Sequence, residues 1–332
     1  MHGARVFSYA CALNKQVNMI TTVTANPCID KTLVCDGFDL YKMNRVEILR
    51  TDLGGKGINV SYALNNLGEE TLVLGFDFTN GASFLKSTLE NGKIPYDLVD
   101  IQGELRTCTK IFDKSINHTV EINEYGRSIT KENEEALLRK ILERVGECDI
   151  LTLSGSLPRG ASRDFYFRCI KEIKRVAPSC KICLDAEGEL LLSGLSASPY
   201  FIKPNIYEFK EAFGLESDGV DSLDKRAREV VKSYGLGFIC VSLGKDGAYI
   251  SSGEESYFCR APQVTVRSIQ GAGDSMVAGI CIALTRGLAL SEILTYGVAS
   301  ASASIALEGT QFATLSNFEK ILQSGLEVKR IF

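Results

Sequence analysis

The sequence predicts an α/β domain built on a mostly parallel central sheet flanked by helices, with a small discontinuous β layer beside it. Two observations carry this. From about residue 146 onward, short apolar strands alternate with amphipathic helices, the rhythm of right-handed βαβ crossovers. Two stretches, 31–53 and 98–124, break that rhythm: β-branched residues alternate with polar ones and no helical period intervenes. The length agrees, because 332 residues that are 45 % hydrophobic and 23 % charged suffice for one large α/β domain with additions.

Residues 1–18 carry Arg5 and Lys15 but no acid and read as a disordered or appended extension, so the folded domain is taken as 19–332. A first strand covers the run from Ile20 to Thr24, and Asn26-Pro-Cys-Ile-Asp30 closes it with an acid at its carboxyl end. The first ribbon then leaves and returns at Gly54-Gly-Lys-Gly57, where a helix starts through Ser61, Ala63, Leu64 and Leu67. Strands follow at 150–153, 181–185, 201–203 and 237–242, with helices at 163–177 and 224–234. A last apolar helix runs from Gly271 to about Leu284. Its most apolar part, 276–284, is half the length of a bilayer span and is closed by Arg286 and Gly287. Both ribbons depart from the alternating region and rejoin it, so they form one β layer, and a ligand between layers is the natural arrangement.

Charge and cysteine content exclude several classes. The 37 basic residues against 41 acidic give a net charge of −4, so no global field gathers a nucleic-acid backbone. An anionic ligand must be held locally. Eleven cysteines spread along a long chain, an odd number without a disulfide-like framework, read as a reducing, cytoplasmic compartment. Cys180-Lys-Ile-Cys183 lacks a second pair and runs into an apolar strand, which favours structural thiols. Only two histidines exist, leaving almost no material for histidine-rich zinc sites or a Ser-His-Asp scheme.

In Gln270-Gly-Ala-Gly-Asp-Ser-Met-Val-Ala-Gly279, small residues open an apolar helix, so the N–H groups of Ala272, Gly273 and Asp274 lack intrahelical partners. The helix dipole adds roughly half a positive charge there, and an anion fits it. Asp274 inside that anion hole is either a helix cap or a base that takes a hydroxyl proton as the oxygen attacks phosphorus. Gly54-Gly55-Lys56-Gly57-Ile-Asn59-Val60 matches neither a Walker loop nor a dinucleotide fingerprint. It is a tight turn, or a site where Lys56 binds phosphate and Asn59 reads a hydroxyl. Asp30 is a turn residue or an acceptor for vicinal sugar hydroxyls. In Lys203-Pro-Asn205-Ile-Tyr-Glu208 the three-residue spacing puts both oxygens on one side of a starting helix, which suits magnesium on a nucleotide or a plain helix start. Ser242-Leu-Gly244-Lys245-Asp-Gly247 is a glycine turn able to lie against nucleotide phosphates, or a hairpin turn into 248–250.

Taken in order, Gly54-Gly-Lys-Gly57, Ser154-Gly-Ser-Leu-Pro158, Lys203-Pro-Asn205 and Gly271-Ala-Gly-Asp-Ser275 resemble the phosphofructokinase B group of sugar kinases, which has the ribokinase-like fold. The resemblance covers Met19 to about Leu315. It implies ATP and magnesium as cofactors, Asp274 as the base, and Gly271, Ala272 and Gly273 as the anion hole. It makes Asp30, Gly54, Gly55 and Asn59 sugar contacts, with Lys56 and Arg106, supported by Lys110 and Ser156, on the phosphate already carried by the substrate. Asn205 and Glu208 then organise magnesium, while Lys203, Asn205, Ser242, Gly244, Lys245, Gly247 and Gly273 frame the nucleotide. The β layer becomes a lid that pairs between subunits, so a homodimer is implied, with Arg45 reaching a neighbouring site. No nucleic-acid or membrane partner is expected.

Within the family, Asn26-Pro-Cys-Ile-Asp30, GGKGINV at 54–60, Leu184-Asp-Ala-Glu-Gly-Glu189 and Ala272 are most similar to the branch acting on fructose 1-phosphate. The implied reaction is phosphorylation of its C6 hydroxyl. Kinases of tagatose 6-phosphate or fructose 6-phosphate are the alternatives, and a catalytically silent sugar-phosphate or nucleotide sensor is a more remote one. Two departures are Ser304, where the family often has Asn, and Asp77-Phe-Thr-Asn-Gly81, where relatives usually show a Gly-Gly pair.

Overall fold

A ten-stranded sheet and a separate four-stranded sheet make up the molecule. The computed structural model describes residues 19–217, 219–307 and 311–332; the expectation for residues 1–18 lies outside them. In chain order the first half comprises β1 (Ile20–Thr24), β2 (Cys28–Cys35), β3 (Glu47–Gly54), α1 (Lys56–Asn66), β4 (Thr71–Asn80), α2 (Ala82–Asn91), β5 (Tyr96–Glu104), β6 (Arg106–Asp113), β7 (His118–Asn123) and α3 (Lys131–Arg144). Then come β8 (Ile150–Ser154), α4 (Phe165–Val176), β9 (Lys181–Asp185), α5 (Gly188–Leu195), β10 (Phe201–Ile202), α6 (Ile206–Phe213), α7 (Val220–Tyr234) and β11 (Phe238–Ser242). The chain closes with β12 (Ala248–Ser251), β13 (Ser256–Cys259), α8 (Ala272–Thr285), α9 (Leu290–Ile305), α10 (Leu315–Gln323) and β14 (Val328–Arg330).

The large sheet has the order β14-β13-β12-β11-β10-β9-β8-β1-β4-β5. It is parallel from β5 through β11, and β12 to β14 extend it antiparallel. Its strands bury both faces, as a period of two requires. On β8, Ile150 packs with α1, α8, α9 and α10, while Leu151 and Leu153 pack with α2 to α7; on β11, Phe238 and Cys240 divide from Ile239 and Val241 in the same way. The α8 helix is apolar all round because it is enclosed: every residue from Asp274 to Leu284 is buried, between α1 and α9.

The small sheet, in the order β3-β2-β6-β7, is the expected discontinuous layer, with two differences from the sequence reading. The stretch from Leu98 divides, since β5 pairs with β4 as the last strand of the main sheet and only β6 and β7 join the layer. Asp30 does not close β1. β1 stops at Thr24, and the chain turns through Asn26 and Pro27, which has no N–H for a ladder, so Asp30 sits inside β2. The strand order reverses between β1 and β8, and the crevice over their carboxyl ends, beneath the small sheet, is where the candidate residues gather.

Candidate active site

Two helix starts and three strand ends converge on this crevice. α1 begins at Lys56 behind Gly55, and α8 begins at Ala272 behind Gly271, whose φ of +71° is the left-handed conformation that favours glycine. The two helices pack together, and Asn59 Nδ2 donates to Asp274 Oδ2 at 2.7 Å. Sequence reasoning left Asp274 as cap or base. It makes no side-chain capping bond, so the cap reading falls. Among the helix-start donors, Ala272 N–H closes a turn onto Ile269 O at 3.4 Å, which corrects the expectation that it is unpaired. Gly273 and Asp274 remain as donors that no carbonyl among the described residues takes.

Charge is dense and alternating. Lys56 Nζ lies 3.7 Å and Lys203 Nζ 3.8 Å from Asp185 Oδ1, and a Cβ on Gly273 would stand 3.3 Å from Lys203 Nζ. Lys203, expected on the nucleotide, is therefore brought to the start of α8. Two ammonium groups beside the positive end of a helix are an arrangement that an anion completes. Burial, followed by the nearby charge of Asp185, pushes the Asp274 carboxyl up to about 6, against the opposing pull of Asn59, Lys56 and Lys203. Asp185 chiefly, with Asp274, Glu208 and Glu187, holds the half-buried Lys56 ammonium above the usual lysine range, against the opposing cost of desolvation.

Asp185 is the residue the sequence reading missed as a functional group. It is 3 % exposed, and its Oδ2 has no hydrogen-bond partner. The available signal was an acid ending an apolar strand at its carboxyl end.

Toward the small sheet, Lys110 Nζ lies 3.5 Å from Asp30 Oδ2, and both are on the inner side of the layer. Gly54 faces them closely: a Cβ there would fall 2.6 Å from Asp30 Oδ2, so a side chain at this position displaces the Asp30 carboxylate. Arg106 donates from Nη2 to Asn26 O at 3.0 Å and from Nη1 to Glu124 O at 3.2 Å, bracing the β1–β2 turn against the end of β7. Ser156 Oγ accepts from Asn26 Nδ2 at 3.1 Å, and Gly155 lies against the Lys56 stem. Asp30, Gly54, Lys110, Arg106, Ser156 and Lys56 thus line one side of the crevice.

On the other side, Asn205 and Glu208 form a reciprocal capping box: Asn205 Oδ1 accepts from the N–H groups of Tyr207 and Glu208, and Glu208 Oε2 accepts from Asn205 N–H. The helix-start reading holds here, although Glu208 still acts on Lys56 through space. Asn205 pairs with Ser242 in an isolated parallel bridge. The segment from Ser242 through Gly244 and Lys245 to Gly247 is the turn of the β11–β12 hairpin; Gly244 and Lys245 are exposed. Ser304, the family departure, bridges Ser275 Oγ and Gln311 O. Asp77 is buried beside Lys86, at 2.7 Å.

A mostly parallel α/β sheet thus sets a buried carboxylate at a glycine-opened helix start, with a second, four-stranded sheet beside it. Residues 23–317 match the model described as pfkB family carbohydrate kinase. The chain is 33 % identical over 292 residues, 88 % of its length and 92 % of the relative's, to a 1-phosphofructokinase of Borreliella burgdorferi. It is 31 % identical over 281 residues, 83 % and 88 % of the two chains, to a tagatose-6-phosphate kinase of Staphylococcus epidermidis. The tetrameric inhibited form of phosphofructokinase-2 from Escherichia coli superposes with a TM-score of 0.84 at 25 % identity, covering 92 % of this chain and 99 % of that one. The protein is a phosphotransferase with an alcohol group as acceptor, of ribokinase-like fold. It belongs to the pfkB family of carbohydrate kinases.

Proposed function

We propose that the chain transfers the γ-phosphoryl group of ATP to the C6 hydroxyl of fructose 1-phosphate, giving fructose 1,6-bisphosphate and ADP. The observation that carries the chemistry is Asp274, a buried carboxylate oriented by Asn59 at the glycine-opened start of α8. It takes the C6 proton as that oxygen attacks the γ-phosphorus and the bond to ADP breaks; no covalent enzyme intermediate is needed. Gly271, Ala272 and Gly273 shape the hole that receives the transferred group, and Lys203 neutralises its charge. Asp30, Gly54, Gly55 and Asn59 hold the sugar. Lys56 and Arg106, with Lys110 and Ser156, hold the phosphate it already carries.

Magnesium fits the donors on the nucleotide side: Asp185 Oδ2 is buried without a partner, and Glu208 keeps one carboxylate oxygen outside its capping box. Those two carboxylates would hold it, with Asn205 positioning Glu208; when bound, it supplies charge neutralisation on the ATP phosphates. The hairpin turn from Ser242 through Gly244, Lys245 and Gly247, with Asn205, frames the nucleotide. The ten buried free thiols among the described residues support a cytoplasmic location. Exposed apolar residues on the small sheet support a homodimer formed through this lid, with Arg45 reaching toward the neighbouring site.

The choice of fructose 1-phosphate rests on the similarity to 1-phosphofructokinases and on Ala272. The similarity to a tagatose-6-phosphate kinase favours a second reading, in which Asp274 acts in the same way and the sugar phosphate moves to the other end. ADP release with ATP and magnesium over fructose 1-phosphate, tagatose 6-phosphate, fructose 6-phosphate and unphosphorylated fructose separates them, with Asp274→Asn as control. A preference for fructose 1-phosphate, lost in the variant, is the expected result. A preference for a 6-phosphate moves the substrate, and no turnover on any sugar favours a sensor.

A further inference from the structure

The floor of the lid holds two thiols that the phosphoryl-transfer chemistry does not use. The period of two in β2 puts Cys28 and Asp30 on one face, and the parallel register of β2 with β6 sets Cys108 beside Asp30 on that same face. Cys28 Sγ lies 3.5 Å from Asp30 Oδ1, and ligand atoms of Cys28, Asp30 and Cys108 all fall within 4.8 Å of one another. We propose that these three side chains form a binding site for a thiophilic divalent cation of the Zn2+ type.

Tetrahedral zinc bonded to sulfur and oxygen keeps its ligands about 3.5–3.8 Å apart, so small rotamer changes bring these three atoms onto one ion. The alternative use of a thiol pair, a disulfide, is opposed by the register. Cys28 and Cys108 are two residues out of step on neighbouring strands, a diagonal of about 8 Å between α-carbons, beyond what a disulfide spans. Gly54 is the third element of the design, because a Cβ there would stand 2.7 Å from Cys28 Sγ and 2.6 Å from Asp30 Oδ2 and push the two ligands apart. Arg106 lies opposite Cys28 in the register, and Lys110 sits 3.5 Å from Asp30, so cationic groups offset the charge of two thiolates and a carboxylate around one dication. Loading releases the two S–H protons to solvent and exchanges the Lys110 partner of Asp30 for the ion. Magnesium, a hard cation that takes oxygen ligands, does not compete for this thiolate set. With Asp30 as a sugar contact, a consequence that rests on the proposed function, the cation excludes the sugar phosphate.

Cobalt(II) titrated into the full-length chain reads the site directly, through thiolate-to-cobalt charge transfer in the near ultraviolet. A band saturating at one equivalent and chased by Zn2+ is expected in the wild type and in Cys148→Ser, which disables the other close thiol pair, Cys148 and Cys180 at 4.0 Å. It should vanish in Cys28→Ser and, independently, in Cys108→Ser, both retaining turnover in the absence of added Zn2+ as evidence of folding. No band in the wild type, or a band that survives both serine variants, overturns the site. Zn2+ should raise the KM for fructose 1-phosphate at least tenfold in the wild type and not in Cys28→Ser. The cobalt band with an unchanged KM upholds the cation site and removes Asp30 from the sugar floor, so the two readings fail separately.

Discussion

At neutral pH Asp274 carries its charge in a place that opposes it, and this one residue links activity to stability. Its carboxyl, pushed up to about 6 by burial and then by Asp185, must be ionised to accept a proton, so kcat/KM is expected to fall below an apparent pKa near 6. The stability sign is the reverse of that for a salt-bridged acid. Between about 4 and 6 the folded state keeps a proton that the unfolded chain has lost, so stability drops as pH rises through that window and the full cost, of order 3 kcal/mol, persists above it. Asp274→Asn should therefore lower kcat by about 10²–10⁴ with ATP affinity retained, yet melt several degrees higher at pH 7, the gain vanishing near pH 4. Turnover near wild type, or a lower Tm at pH 7, contradicts the assignment. Lys56→Ala is expected to raise the KM for the sugar phosphate about 10- to 100-fold, the size of a lost charge-assisted bond. Arg106→Ala should act in the same direction and add the loss of its brace on Asn26 and Glu124. The placement of Asp274, Lys56 and Asn59 at two helix starts was legible because glycine punctuation marks helix starts in one dimension. Asp185 was not, because its meaning comes from Lys56 and Lys203, which reach it from 129 residues before and 18 after, contacts that only the sheet order creates.

Elements that read correctly are those whose pattern is set locally. The strand Lys181–Asp185 stands where the sequence puts it, and the helix expected over 163–177 is α4, Phe165–Val176. The two misread places depend on partners. β5 alternates as a lid strand would, yet it pairs with β4, and no property of its own residues states which sheet it will join. Asp30 looks like the end of β1 because Pro27 breaks the ladder, but the chain restarts at once as β2. The Cys180/Cys183 spacing resolves by the same logic, since the two thiols face opposite cores of the main sheet. The contact between β2 and β3 gives an element-scale test. Gly54→Ala places a methyl against Asp30 Oδ2 and Cys28 Sγ, and both side chains must turn away to admit it. The expected outcome is a KM for the sugar phosphate raised at least tenfold, with the KM for ATP unchanged, because the displaced group lies on the lid side alone. Equal effects on both substrates would show that Gly54 supports α1 rather than the lid.

The whole molecule carries its apolar surface unevenly. Leu40, Tyr41, Met43, Ile48, Leu49, Ile116 and Ile122 are all more than half exposed, and each belongs to a strand or connection of the small sheet. Among the described residues, β3 and β7 are its two free edges. A four-stranded sheet whose inner face is spent on the crevice, with bare edges and apolar residues outside, buries that surface best against a second sheet. The dimension that the sequence could show was the ribbon itself; that its outside stays uncovered by the other described residues is a property of their tertiary arrangement. A homodimer through the lid is the expected state at micromolar concentration in size-exclusion chromatography with light scattering. Leu49→Asp together with Ile48→Asp should shift the mass to that of one chain. In the monomeric variant the floor that carries Asp30 and Lys110 loses its backing, so the KM for the sugar phosphate should rise while Asp274 and the α8 start, anchored in the main core, keep kcat within a few-fold. A wild-type chain that is monomeric at these concentrations, or a variant dimer of unchanged mass, would remove the lid as the interface.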